Sequence, residues 1–223
     1  MGLKLPIAPK ETQAVVTHAL TRAHSSGRFA LSGITGGGAA VVTPVAPHNV
    51  FTIGLKPLAD GRGLGAAQPS GWRAIVVQGN HPVAAVEFTG GGGPQDYKSV
   101  NEGPLVQSSA SAMAIAEELP QVKEKDYEPR LLQMPAIYLV AVWLHGDKDE
   151  ILIPLDPAPG AFKAFKAYPE KDFFEQASAL AKQRMGSDDA PKGQPPKRQV
   201  KHDIGEMKSP ESTGSEGLSG LTA

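Results

Sequence analysis

Trp72-Arg73-Ala74-Ile75-Val76-Val77-Gln78, then Gly79-Asn80, then His81-Pro82-Val83-Ala84-Ala85-Val86-Glu87-Phe88-Thr89: residues 72–89 read as a β-hairpin, and the rest of the fold is built outward from it. Both runs are rich in β-formers. A glycine in the first of two turn positions suits a type II′ turn, whose twist matches that of paired strands. With strands at 72–78 and 82–89, Val76 is expected opposite Val83, Ala74 opposite Ala85 and Trp72 opposite Glu87, all on one face. A single carboxylate on that apolar face has two readings. Glu87 is an acid or base in a pocket walled by Trp72, or it is a strand-end charge in water. Arg73, on the other face, reads as an edge charge.

Upstream of the hairpin, Arg28–Ile34, a small run at Ala40–Thr43 and Asn49–Leu55 are short and β-rich, with Gly36-Gly37-Gly38 between them. A first helix is expected over Glu11–Ser25, where Val16, Leu20 and Ala23 repeat at helical spacing and Gly27 sits where a C-terminal cap belongs. Downstream, Ser108 or Ser109 can cap a second helix that runs to Leu119 and stops at Pro120. Gln121–Arg130 carries charges of both signs and reads as a surface loop. Ile137–Leu144 is apolar throughout and is expected to be a central strand covered on both faces. Glu150–Leu155 returns antiparallel after the 145–149 turn, and Pro154 suits an edge strand. A last helix is expected over Glu170–Arg184, with acids in its first turn, bases in its last and Gly186 closing it. The order α-β-β-β-β-α-β-β-α implies an α+β domain: one mainly antiparallel sheet of about six strands carrying three helices.

Composition bounds the rest. The chain has 223 residues, 22 Lys plus Arg against 23 Asp plus Glu, and no cysteine. Near-neutral charge gives no net field toward nucleic acid or an anionic membrane. The absence of cysteine excludes disulfides, thiolate metal sites and a cysteine nucleophile. Glycine (25) and proline (20) are abundant, which calls for long loops. No stretch resembles a signal peptide, and the longest apolar run, 136–144, is far shorter than the roughly 20 residues of a spanning helix. A cytoplasmic location is therefore expected. From Ser187 to Ala223 there is no aromatic residue, so residues 1–186 are expected to form the folded domain and 187–223 a disordered tail. Within that tail Lys192, Lys197, Arg198 and Lys201 stand together, either as a small basic handle for a partner or as an ordinary solvated segment.

Candidate sites are few. Gly90-Gly91-Gly92-Gly93 follows a strand, but no Lys-Ser or Lys-Thr follows the last glycine directly, and a mobile connector is the plainer reading than an anion cradle. His145, Asp147 and Asp149 form the nearest approach to a metal or acid–base cluster, in residues that a tight turn also prefers. No G-x-S-x-G or H-E-x-x-H occurs. Phe162, Phe165 and Tyr168, with Lys163 and Lys166 between them, read as core packing or as a basic-aromatic docking stripe.

Without a spaced catalytic set, the expected function is a non-catalytic binding module for a protein or peptide, with no cofactor and no nucleic-acid or membrane partner. One alternative is a small-substrate enzyme or ligand-binding protein, with Glu87, Asp96 and Tyr97 as catalytic candidates and Trp72, Gly91, Gly92 and Gly93 lining its site. Another is a structural or assembly subunit of a secretion or virion apparatus.

Overall fold

A computed structural model describes residues 1–27, 43–91 and 93–188. Among them the chain is α+β, with one mixed nine-stranded sheet and five α-helices. In chain order these are β1 (Gly2–Leu3), α1 (Thr12–Ser25), β2 (Thr43–Thr52), α2 (Leu55–Ala59), β3 (Gln68–Gln78), β4 (His81–Phe88), β5 (Tyr97–Asn101), α3 (Pro104–Glu118), α4 (Pro120–Glu124), β6 (Asp126–Met134), β7 (Leu139–His145), β8 (Glu150–Pro154), β9 (Tyr168–Pro169) and α5 (Glu170–Asp188). The strand expected at Arg28–Ile34 and all but Thr43 of the run at 40–43 lie outside the described residues. So do Gly92 and residues 189–223, with Lys192, Lys197, Arg198 and Lys201.

The sheet order is β5-β4-β3-β2-β6-β7-β8-β9, with β1 also on β6. Two antiparallel meanders, β2 to β5 and β6 to β9, meet where β2 and β6 run parallel. α3 and α4 supply the crossover that a parallel junction requires. The sheet is thus mixed and larger than the expected six strands.

The largest correction is β6, which occupies the second half of the stretch read as a surface loop, while α4 takes most of the first half. Pro129 and the charges at Glu128 and Arg130 disguise a strand whose Tyr127, Leu131, Leu132 and Met134 are all buried. Proline is tolerated there for a geometric reason. The carbonyls of Lys125, Tyr127 and Gln133 accept from Gly2, Lys4 and Ile53, so odd-numbered residues point toward β1 and β2. β1 pairs at 126–127 and β2 at 130–133, and Pro129, which has no N–H, falls in the gap between them.

The hairpin forms with Gly79 at φ 60° and no positive φ at Asn80, the type II′ pattern. Its register differs from the expectation by one residue. Val77 pairs with Pro82 but Val76 pairs with Ala84, so Val83 is the extra residue of a β-bulge. Beyond the bulge Ala74 faces Val86, Trp72 faces Phe88, and Glu87 faces Arg73. One inserted residue therefore moves Glu87 to the opposite face from Trp72.

Helix limits also shift. α3 starts at Pro104, after Gly103 at φ 89°, because proline is pre-organised for a first turn. Ser108 and Ser109 lie inside it: Ser108 Oγ accepts from the Asp156 N–H at 2.7 Å, and Ser109 Oγ donates to the Leu105 carbonyl at 2.8 Å. α5 continues through Gly186, which has no left-handed φ to end it. Tyr138 is not part of the central strand. It adopts φ 53° and is 74% exposed, and β7 begins one residue later.

Two helices cover one face of the sheet. α1 packs Val15, Val16, Ala19 and Leu20 on Ala74, Val76, Ala84, Val86 and Phe88. α5 packs Phe173, Phe174, Ala177 and Ala181 on Leu132, Leu139, Ala141 and Leu152, joined by Phe162 and Tyr168. On the other face α3 sets Val106 against Ile75 and Ala85, then Ala112 and Ala116 against Val50, Leu131 and Val142. Alanine-rich packing lets α3 lie close to the sheet.

Candidate functional site

On the face carrying α1 and α5, the register aligns Trp72, Asn49, Arg130 and Trp143 across β3, β2, β6 and β7. Arg130 is the centre of this row. Its guanidinium lies 4.7 Å from the Trp143 ring centroid and 5.2 Å from that of Phe51, and the two rings meet edge to face at 5.0 Å. Its Nε donates to Glu128 Oε1 at 2.7 Å. Cation–π contact with both rings and this ion pair restrict the group and fix the direction of its Nε edge. The terminal nitrogens have no partner among the described residues, and the side chain is 18% exposed. What remains is a pre-oriented pair of donors, the geometry that matches a carboxylate.

Beside it, the next row places Glu128, His145 and Glu150 on β6, β7 and β8. Glu150 Oε2 accepts from Trp143 Nε1 at 2.6 Å, and its Oε1 lies 2.8 Å from His145 Nδ1. The carboxylate thereby orients both rings; the His145 side chain is 40% exposed, and its Nε2 has no hydrogen-bond partner among the described residues. His145 thus belongs with Glu150, not with Asp147 and Asp149. Asp149 instead accepts from the Tyr127 hydroxyl at 2.8 Å and from Lys125 at 3.2 Å. Those bonds, Tyr127's first, hold its carboxyl below the usual range, while burial and Asp149 push the Tyr127 phenol up to about 12. Among the described residues no group of three His, Asp or Glu can hold a metal ion.

The α3 face carries a second polar cluster, deep in the sheet. His48 and Arg73 are cross-strand partners and so are Arg73 and Glu87. Arg73 is 1% exposed, His48 fully buried and Glu87 17% exposed. Arg73 Nη1 donates to Glu87 Oε1 at 2.7 Å, and Gln133 Nε2 donates to the same oxygen at 3.0 Å. His48 Nδ1 lies 2.6 Å from the carbonyl of Ala46, itself at φ 47°. Burial, with the charge of Arg73, lowers the imidazole to about 4, so His48 is neutral near pH 7 and donates through Nδ1. Arg73 Nε and Nη2 and His48 Nε2 are buried with no hydrogen-bond partner among the described residues. Groups left so cost about 1–3 kcal/mol each.

The residues expected to form a site near the glycine loop are divided by the sheet. Trp72 lies on the α1 side, where a Cβ on Gly90 would come within 2.4 Å of its ring. Tyr97 pairs with Phe88 on that side, 6.1 Å from the His18 ring. Asp96 accepts from the Thr89 hydroxyl, and Gly91 and Gly93 are exposed in the loop. Glu87 is on the far face. The crevice among Pro9, Phe88, Gly90, Gly91 and Asp96 is too narrow for a water molecule. Phe162 and Tyr168 are core residues, and Lys166 lies over the Tyr168 ring at 4.7 Å.

The chain matches no family model, no curated protein and no solved structure. Its chemistry is therefore read from its own residues. Sequence reasoning missed Arg130, Glu150, Gln133 and His48. The available signal was Trp143 one strand from an arginine, but it needed β6 to be recognised first.

Proposed function

We propose that the chain is a binding module that takes a protein or peptide partner on the sheet face around Arg130, with a partner carboxylate meeting the free guanidinium edge. The single observation behind this reading is the Arg130 stack on Trp143 and Phe51. An arginine clamped on aromatic rings has little side-chain entropy left to lose on binding, and Arg and Trp are the residues that dominate interface energetics. Glu128 and Glu150 do not repel such a group strongly, because each is already engaged by donors of this chain. The test is peptide display on the full chain with counter-selection on Arg130→Gln. Acidic or carboxy-terminal motifs that lose at least tenfold in affinity with Arg130→Gln support the reading. Selected peptides indifferent to that change contradict it.

A second reading rests on the His145–Glu150 pair, which is arranged as an oriented general base. In a small-substrate enzyme His145 Nε2 takes the proton and Glu150 fixes the tautomer. Turnover abolished by His145→Gln and merely reduced by Glu150→Gln distinguishes this from pure binding.

A further inference from the structure

We infer that Arg73 and His48 form an internal receptor for a small carboxylate, on the opposite face of the sheet from Arg130. The argument starts from the guanidinium. Glu87 takes Nη1, while Nε and Nη2, the two nitrogens that share one edge and donate in parallel, are buried and have no partner among the described residues. That edge is the one a carboxylate accepts in bidentate fashion. Its cross-strand neighbour His48 donates Nδ1–H to Ala46, so Nε2 carries a bare lone pair, also buried and unpartnered. Orphan donors beside an orphan acceptor fit a guest that accepts from Arg73 and offers a proton to His48.

A carboxylate satisfies both when it binds together with one proton. Arg73 and Glu87 already neutralise each other, so a second anion needs a compensating charge. The proton taken from solvent sits between the guest's oxygen and His48 Nε2, and the site stays neutral. The groups facing His48 are consistent with this. Arg73 of β3 is the charge whose field acts on it, Glu87 of β4 stands beyond Arg73, α3 contributes the apolar Val106 and Ala110 to the neighbouring packing, and Glu128 and Arg130 of β6 point to the other face. The three orphan atoms are closed to solvent, so the guest reaches them only as the Glu87 and Gln133 side chains, both partly exposed, move aside.

The experiment uses the full chain, isotope-labelled, titrated at constant ionic strength with sodium acetate and, separately, with sodium phosphate and sodium chloride. Nuclear magnetic resonance follows the Arg73 Nε–H and the His48 ring nitrogens. A saturable shift with acetate alone, whose Kd rises about tenfold per pH unit from pH 5 to 7 as one proton is taken up, is the expected result. His48→Gln should flatten that slope and Arg73→Lys should weaken binding at least tenfold. If either variant fails to fold, the slope of the unaltered chain decides. No saturable shift with acetate, equal shifts with phosphate or chloride, or a Kd independent of pH each overturns the proposal.

Discussion

Arg73 and Glu87 meet across β3 and β4, with 2.7 Å between Nη1 and Oε1 and the arginine almost wholly buried. A guanidinium in that position is tolerable only while it is paired. Glu87→Ala is expected to lower unfolding free energy by about 3 kcal/mol, and Glu87→Gln, which keeps an acceptor, by about 1–2 kcal/mol. Urea unfolding checks both. Losses under about 0.5 kcal/mol for either would mean that the pair does not hold the sheet together.

Gly71 should resist any side chain. Its φ is 139°, and an added Cβ would lie 2.4 Å from the Phe88 carbonyl oxygen, a backbone atom that cannot swing away. Gly71→Ala is expected to cost more than about 2 kcal/mol. Gly65→Ala, with nothing within 4 Å and no positive φ, should be nearly neutral and serves as the control.

Acid should destabilise the chain through His48 before the carboxylates titrate. The imidazole is at about 4 when folded and near 6.5 when unfolded, so protons bind the unfolded chain more tightly. Stability is complete above pH 6.5 and falls as pH drops toward 4, by up to about 3 kcal/mol. His48→Gln should remove most of the slope between pH 6.5 and 5. An unchanged slope would place the titrating group elsewhere.

The alkaline limb belongs to Tyr127. Its phenol, raised from 10 to about 12 by burial and Asp149, contributes stability that is complete below pH 10 and lost between 10 and 12. Tyr127→Phe is expected to cost about 1 kcal/mol at neutral pH and to flatten that limb. Spectrophotometric titration of the phenols together with unfolding at each pH measures it.

What the sequence displays and what it hides follow from local geometry. Hydrophobic periodicity marks α1, α5, the hairpin and most of β7 correctly, because each buries a regular stripe or run. The bulge at Val83 leaves no periodic trace, yet it alone decides whether Glu87 joins Trp72 or Arg73. β6 is masked because Pro129, Glu128 and Arg130 look like a loop, and only the gap between β1 and β2 explains why proline fits. The Arg130 and Glu150 contacts depend on lateral alignment of β6, β7 and β8, which no single segment encodes. His145 is visible as a candidate, but its partner is the carboxylate directly across β8 and not the nearer turn acids.

The chain has two tryptophans: Trp143 under Arg130 in the proposed binding region, and Trp72 at the far end of the same cross-strand row, beside the glycine loop. Their two indole N–H resonances therefore form a built-in comparison. The decisive measurement titrates the labelled full chain with a glutamate-rich peptide and follows both signals. Binding at the proposed face shifts Trp143 saturably, leaves Trp72 in place, and weakens at least tenfold in Arg130→Gln. Movement of Trp72 with a silent Trp143, or a Trp143 shift that survives Arg130→Gln, would contradict the account.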